Sequence, residues 1–205
     1  YQSDSIFAAA KLLLSIADEY RGNNNFEYDL IDIVRQAIAE KGRITLKNIQ
    51  SAATTSDTIL FKQTTNDFLN LILLQDELLS TRSEFMLGNW LKMAKKSGKN
   101  KNEKTLYEKN ARTQITTWGN RTASENGRLH DYAHKEWNGS LKDLYYERWK
   151  LFFTETKFKN QKVVEPNIDF FAFDDAWNNK QNKYPSQPQL NAIDTAKRIF
   201  SKIFP

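Results

Sequence analysis

The chain contains no cysteine, which excludes disulfides, thiol nucleophiles and thiolate metal sites and leaves the redox compartment open. It has only two histidines, so histidine-based metal or acid–base chemistry has little to draw on. No run of ~18 apolar residues is present, so no membrane span is expected. The N-terminus lacks the basic-then-apolar-then-small pattern of a signal peptide, and the start at Tyr1 suggests a mature form or an excised fragment. Glycine (7) and proline (4) are scarce in 205 residues, and the prolines fall late. Strict apolar–polar alternation is nearly absent, which argues against sheets.

What is present is a 3.6-residue apolar period in long segments, with 40% hydrophobic residues to fill a core. The fold class expected is all-α, a bundle of about seven to nine helices forming a single domain over residues 1–205. A first helix follows Ser3 or Asp4, and Arg21–Asn25 stops it with glycine and asparagine. A second begins near Phe26, with Gly42 as a possible bend before Ile44–Ala53. A third runs from Ser56-Asp57 to about Ser80 and is apolar on most sides from Phe68 onward, which suits a central place. Thr81 and Glu84 have capping-box spacing before a fourth helix, Glu84–Lys96. A fifth covers about Asn102–Thr117, and Asn120–Arg128 is too polar to fold by itself. A sixth, about Leu129–Thr156, would be long, central and aromatic-striped, running about 40 Å. Lys157–Asn167 reads as a connection. Further helices are expected at Ile168–Lys180 and, after the two-proline loop Tyr184–Pro188, at Asn191–Ile203.

The formal charge is +5, from 30 basic and 25 acidic side chains, with the excess concentrated in Lys92–Lys104. That stretch could contact phosphates, but it reads better as a solvated, mobile inter-helix loop, so no nucleic-acid partner is expected. His130 and His134 would share a helix face, as a metal site requires. A third ligand is missing, since Asp131 would point away, and so is the glutamate of an H-E-x-x-H motif. No metal is expected. Asp131, Glu136, Asp143 and Glu147 lie beside the aromatic stripe, yet none carries a signature of glycosidic acid–base chemistry. No nucleophile elbow or Gly-rich phosphate loop occurs, and no cofactor is expected. N-x-[ST] sequons stand at Asn120 and Asn138.

The remaining signal is aromatic. The stretch Asn110–Phe153 holds Trp118, Trp137 and Trp149 together with both histidines. Core packing accounts for most such rings. Trp118 and Tyr132, nearest the polar loop, are placed to project outward, where a flat apolar ring suits the C–H face of a sugar.

The runs Asn110-x-Arg112-x-Gln114-x-Thr116-x-Trp118-Gly119, Leu129-x-Asp131-Tyr132-Ala133-x-Lys135 and Arg148-Trp149-x-Leu151-Phe152 resemble the C-terminal helical domain of the α-N-acetylglucosaminidases of glycoside hydrolase family 89. So do Phe26-x-Tyr28-Asp29-Leu30-x-Asp32, Arg35-Gln36-Ala37, Phe85-x-Leu87-Gly88-x-Trp90-Leu91, Tyr184-Pro185-Ser186-Gln187-Pro188 and Asp194-x-Ala196-Lys197-x-Ile199-Phe200, all in family order.

The resemblance implies a larger enzyme that removes terminal α-linked N-acetylglucosamine from glycans with retention. Two glutamates of a (β/α)-barrel would act as acid/base and nucleophile, about 5 Å apart. It implies that these glutamates lie outside this chain, that no residue here is catalytic, and that the isolated 205-residue chain is inactive. The helical domain would pack on the barrel, with Trp118 and Tyr132 as candidates to line its pocket. Arg112 and Arg148 would be buried or half-buried structural arginines, each needing a carboxylate or carbonyl partner, and Trp149 would be structural too. Family members imply an extracytoplasmic location: secreted, periplasmic or cell-surface in bacteria, lysosomal in animals. A helical module that binds a glycan or a protein without catalysis is the other reading the residues allow.

Overall fold

The computed structural model describes residues 3–160 and 162–205, and Tyr1 lies outside that range. Among the described residues the fold is all-α: α1 (Ser3–Ile16), α2 (Asn24–Thr54), α3 (Thr58–Leu79), α4 (Leu87–Lys96), α5 (Lys101–Gln114), α6 (Tyr146–Glu155), α7 (Phe170–Asn178) and α8 (Ala192–Ile203). Short polar side chains open most of them by accepting a free backbone N–H of the first turn. Asn23 accepts from Phe26 N (3.1 Å), Asp57 from Leu60 N (2.9 Å), Asn100 from Glu103 N (3.0 Å) and Asn191 from Asp194 N (3.0 Å).

One apolar core joins α1, α2, α3 and α8 through Ile6, Leu30, Ile31, Leu78, Ile193 and Ile199. A second gathers Leu87, Leu91, Ala111, Ile115, Leu144 and Trp177. A third, aromatic core stacks Trp149 on Phe153 (centroids 5.3 Å) and sets it edge-on to Phe68 (5.0 Å). Each fully buried aliphatic side chain contributes roughly 1.5–3 kcal/mol relative to exposure.

Several expectations need correction. Gly42 does not break α2, which runs for 31 residues. A Cβ at Gly42 would stand 3.5 Å from the Phe68 ring of α3, an ordinary contact, so α2 carries the ~1 kcal/mol cost of a helical glycine with no steric need for it. The capping box at Thr81 and Glu84 does not form. Thr81 Oγ1 donates to Leu78 O (2.7 Å), while buried Arg82 draws Glu84 to itself (2.8 Å) in a 3-10 turn over Ser83–Phe85. Most of Lys92–Lys104 is helix, and only residues 97–100 connect α4 to α5. The α4 lysines suit a helix C-terminus, and Lys95 reaches the buried Glu108 at 2.9 Å. Part of the connection after α6 is an antiparallel hairpin, β1 (Lys157–Lys159) with β2 (Lys162–Val164).

The largest correction concerns the helix expected from Leu129. Regular structure begins instead with a π-helical turn, Leu141–Tyr145, which leads into α6. Upstream, the backbone bonds elsewhere: Leu129 N to Ser124 O (3.0 Å), Asp131 N to Thr116 O (2.8 Å) and Asn138 N to Phe85 O (2.8 Å). Asp131 (φ 58°) and Gly139 (φ 93°) have left-handed backbone, which a right-handed helix cannot pass through. Tyr132 and Trp137 therefore do not share a helix with Trp149. The buried Asp76 carboxylate of α3 organises the start of the π turn, accepting from Gly139 N (2.7 Å), Lys142 N (3.1 Å) and Asn138 Nδ2 (2.8 Å).

Candidate functional site

Helix α5 ends in the segment that carries the candidate residues. Trp118 closes it, with its N–H donating to Thr113 O at 2.7 Å and φ at 61°. Glycine is the usual occupant of that left-handed position, and a bulky residue there costs roughly 1–2 kcal/mol. Among the described non-glycine residues, Ser56, Arg128, Asp131 and Asn160 share a positive φ with Trp118. Below it the turn is anchored by buried Asn178 of α7. Thr116 Oγ1 hydrogen-bonds Asn178 Oδ1 (2.8 Å), and Asn178 Nδ2 donates to Thr117 Oγ1 (3.3 Å).

The segment Asn120–Arg128, expected to be loop, contains a π-helical turn over Thr122–Asn126. It is held by bonds within the segment and by one residue outside it. Arg121 makes two bonds to Asp169 (3.0 and 2.8 Å) and one to Glu125 (2.8 Å), and it lies over the Phe171 ring. The chain then returns through Asp131 to Tyr132. The Trp118 and Tyr132 rings meet edge to face with centroids 5.7 Å apart. Both are exposed, Trp118 at 37% and Tyr132 at 71%.

Behind this pair lies a charge cluster. Arg148 of α6 donates to both oxygens of Asp131 (2.6 and 3.3 Å) and to Asp174 of α7. His130 Nε2 lies 2.6 Å from Asp174 Oδ2. Asp174 is fully buried, and among the described residues its Oδ1 finds no partner, nor does the buried Tyr145 hydroxyl nearby. The hydrogen bond to Asp174 holds the His130 imidazole above its ordinary value, against desolvation. Burial alone would lower the Arg148 value, but Asp131 and Asp174 together hold it raised. Burial pushes the Tyr145 phenol upward.

The two histidines do not share a helix face, because no helix forms there. Oxygens and nitrogen of His130, Asp131 and Asp174 do converge within 4.8 Å, a spacing that a cation could use. The Arg148 guanidinium already fills that role, so the set is an ion-pair cluster rather than a metal centre. The same bonds occupy the Asp131 and Asp174 carboxylates. Arg148 engages both, and Asp174 is closed to solvent.

The other sequence candidates lie away from the rings. Arg112 is fully buried, bonded to Glu108 (3.0 Å) and Asn182 O (3.4 Å) and placed over Trp177 (4.5 Å) and Tyr184 (5.3 Å). Trp149 sits in the aromatic core. Of the sequons, Asn120 is exposed, whereas Asn138 spends its amide nitrogen on Asp76. Sequence reasoning missed His130 and Asp174 as partners. Their separation of 44 residues carries no local signal.

Among the described residues, then, the fold is all-α, with two exposed aromatic rings on a backbone braced by buried ion pairs. Residues 1–202 match the model of the alpha-N-acetylglucosaminidase (NAGLU) C-terminal domain, and the chain belongs to that family. It is 30% identical to human alpha-N-acetylglucosaminidase over 213 residues, covering 100% of this chain and 28% of the relative. A family 89 glycoside hydrolase from Clostridium perfringens, solved in complex with PUGNAc, superposes with a TM-score of 0.88 at 32% identity, covering 97% of this chain and 23% of that one. A doubly substituted form of the family 89 enzyme CpGH89 from the same organism, in complex with its substrate GlcNAc-alpha-1,4-galactose, gives 0.89 at 32% identity, over 98% and 24%. The chain thus spans about a quarter of the length of these relatives. Among the described residues no helix is long and apolar enough to cross a membrane.

Proposed function

We propose that residues 1–205 act as one helical domain of an extracytoplasmic, retaining α-N-acetylglucosaminidase that removes terminal α-linked N-acetylglucosamine from glycans. In this reading the domain packs on a catalytic barrel and contributes Trp118 and Tyr132 to the rim of its pocket. The acid/base and nucleophilic glutamates belong to the barrel, where two carboxyl groups ~5 Å apart give a covalent glycosyl-enzyme that water hydrolyses.

The observation that carries the proposal is the Trp118–Tyr132 pair. Two exposed rings stand 5.7 Å apart, and the Trp118 backbone is held in a conformation that costs energy. An edge-to-face pair offers one ring face to the apolar C–H side of a pyranose and a polar phenol to its hydroxyls. In the full-length polypeptide, Trp118→Ala should lower kcat/KM for an aryl α-N-acetylglucosaminide about tenfold, the loss of about 1.4 kcal/mol of transition-state binding. Helical content should stay at the wild-type level. Unchanged kinetics with a lowered Tm would assign Trp118 to packing and overturn the proposal.

A further inference from the structure

Tyr132 leaves the chain directly after Asp131, a residue with left-handed backbone at φ 58°. An L-aspartate in that conformation, though less strained than most side chains, gains from outside support. Two bonds supply it: the Asp131 N–H donates to Thr116 O (2.8 Å), and its carboxylate takes both terminal nitrogens of Arg148. Thr116 lies two residues before Trp118, so the first bond ties the two aromatic residues to one frame. Arg148 is in turn held by Asp174, which also receives His130. An ionised carboxylate only accepts, so His130 Nε2 carries a hydrogen and Nδ1 is the atom left to take a proton from water.

We propose that Arg148, Asp174 and His130 are positioning residues: they fix the Asp131 turn and with it the direction of the Tyr132 and Trp118 rings, and protonation of His130 at Nδ1 tightens that hold. The proposal rests on the reading that the two rings meet the glycan. The groups facing His130 are Asp174 from α7, Arg148 from α6 and Asp131 beside it, with Tyr145 of the π turn close to the same charges. Two carboxylates against one guanidinium leave one negative charge unbalanced, and imidazolium balances it. With His130 neutral, Arg148 is shared by two carboxylates and its grip on Asp131 is weaker. The elevated His130 value fits this arrangement.

Two measurements test it. In the 205-residue chain with 15N-labelled indoles, the Trp118 signal, assigned by its loss in Trp118→Phe, should titrate between pH 5 and 8 and stop doing so in His130→Gln. In the full-length polypeptide, His130→Gln should flatten the alkaline limb of the kcat/KM profile. There Arg148→Met should lower kcat/KM by up to about 100-fold, the scale of an ångström of misplacement. Arg148→Lys should recover part of that loss. An indole signal and pH profile in His130→Gln identical to wild type would overturn the positioning role even if Trp118→Ala impairs turnover. Failure of the pocket reading looks different: Trp118→Ala would leave turnover intact while the indole titration persists.

Discussion

At the scale of single residues, charge balance decides what the cluster behind the rings can do. Asp131 and Asp174 stand against Arg148, and His130 supplies the second cation only when protonated. Its folded value lies above that of the unfolded chain, because the Asp174 hydrogen bond favours the charged ring. Folding therefore gains stability from His130 that is fully present below about pH 6.5 and is lost as pH rises through the folded value. The Tm difference between wild type and His130→Gln should accordingly be larger at pH 5.5 than at pH 8.5. A constant difference across that range would show that the imidazole contributes through packing alone. The need of Arg112 and Arg148 for partners was legible from their residue type, but the partners were not. Glu108 lies one turn from Arg112, whereas Asp174 reaches Arg148 from another helix.

At the scale of elements, the helices were legible and the segment between α5 and α6 was not. Periodicity and short polar caps report what a segment does with its own backbone, and α2, α3, α7 and α8 begin and end near the residues that carry those signals. Residues 129–139 carry the same apolar spacing, yet their N–H groups bond to Ser124, Thr116 and Phe85, partners that no local pattern announces. Two resemblance-bearing motifs meet beside that segment. Gly88 of α4 lies under the Tyr184-Pro185 backbone, where an added Cβ would stand 2.0 Å from Pro185 O, and Gly139 faces the Tyr184 ring. The Tyr184 hydroxyl donates to Asp143 Oδ2 (2.8 Å), and burial pushes its phenol up to about 12. Because the clash at Gly88 is with backbone, Gly88→Ala must move the loop or the helix. It should cost about 3 kcal/mol in urea unfolding, the upper part of the overpacking range. A loss below about 0.5 kcal/mol would mean that the loop shifts freely and does not brace α4.

At the scale of the whole molecule, the described residues present aromatic rings and braced turns, while the carboxylates of Asp131, Asp174 and Glu108 are paired with cations. Asp131 and Asp174 are bound by Arg148, and Glu108 lies buried between Arg112 and Lys95. A sugar set against Trp118 and Tyr132 would be held on one side, whereas pockets that bind small molecules well enclose most of the ligand surface. Two consequences follow for the purified 205-residue chain. It should not release the aglycone from an aryl α-N-acetylglucosaminide. Titration with N-acetylglucosamine should give no saturation near 1 mM, a level that requires about −4 kcal/mol of binding free energy. Saturable binding without turnover would identify a glycan-binding module complete in itself, since the rings would then need no opposing wall. Turnover would require an acid and a nucleophile within these residues and would refute the assignment of both roles to another domain. With neither, activity should return only in a polypeptide that sets the barrel carboxylates opposite the Trp118–Tyr132 pair.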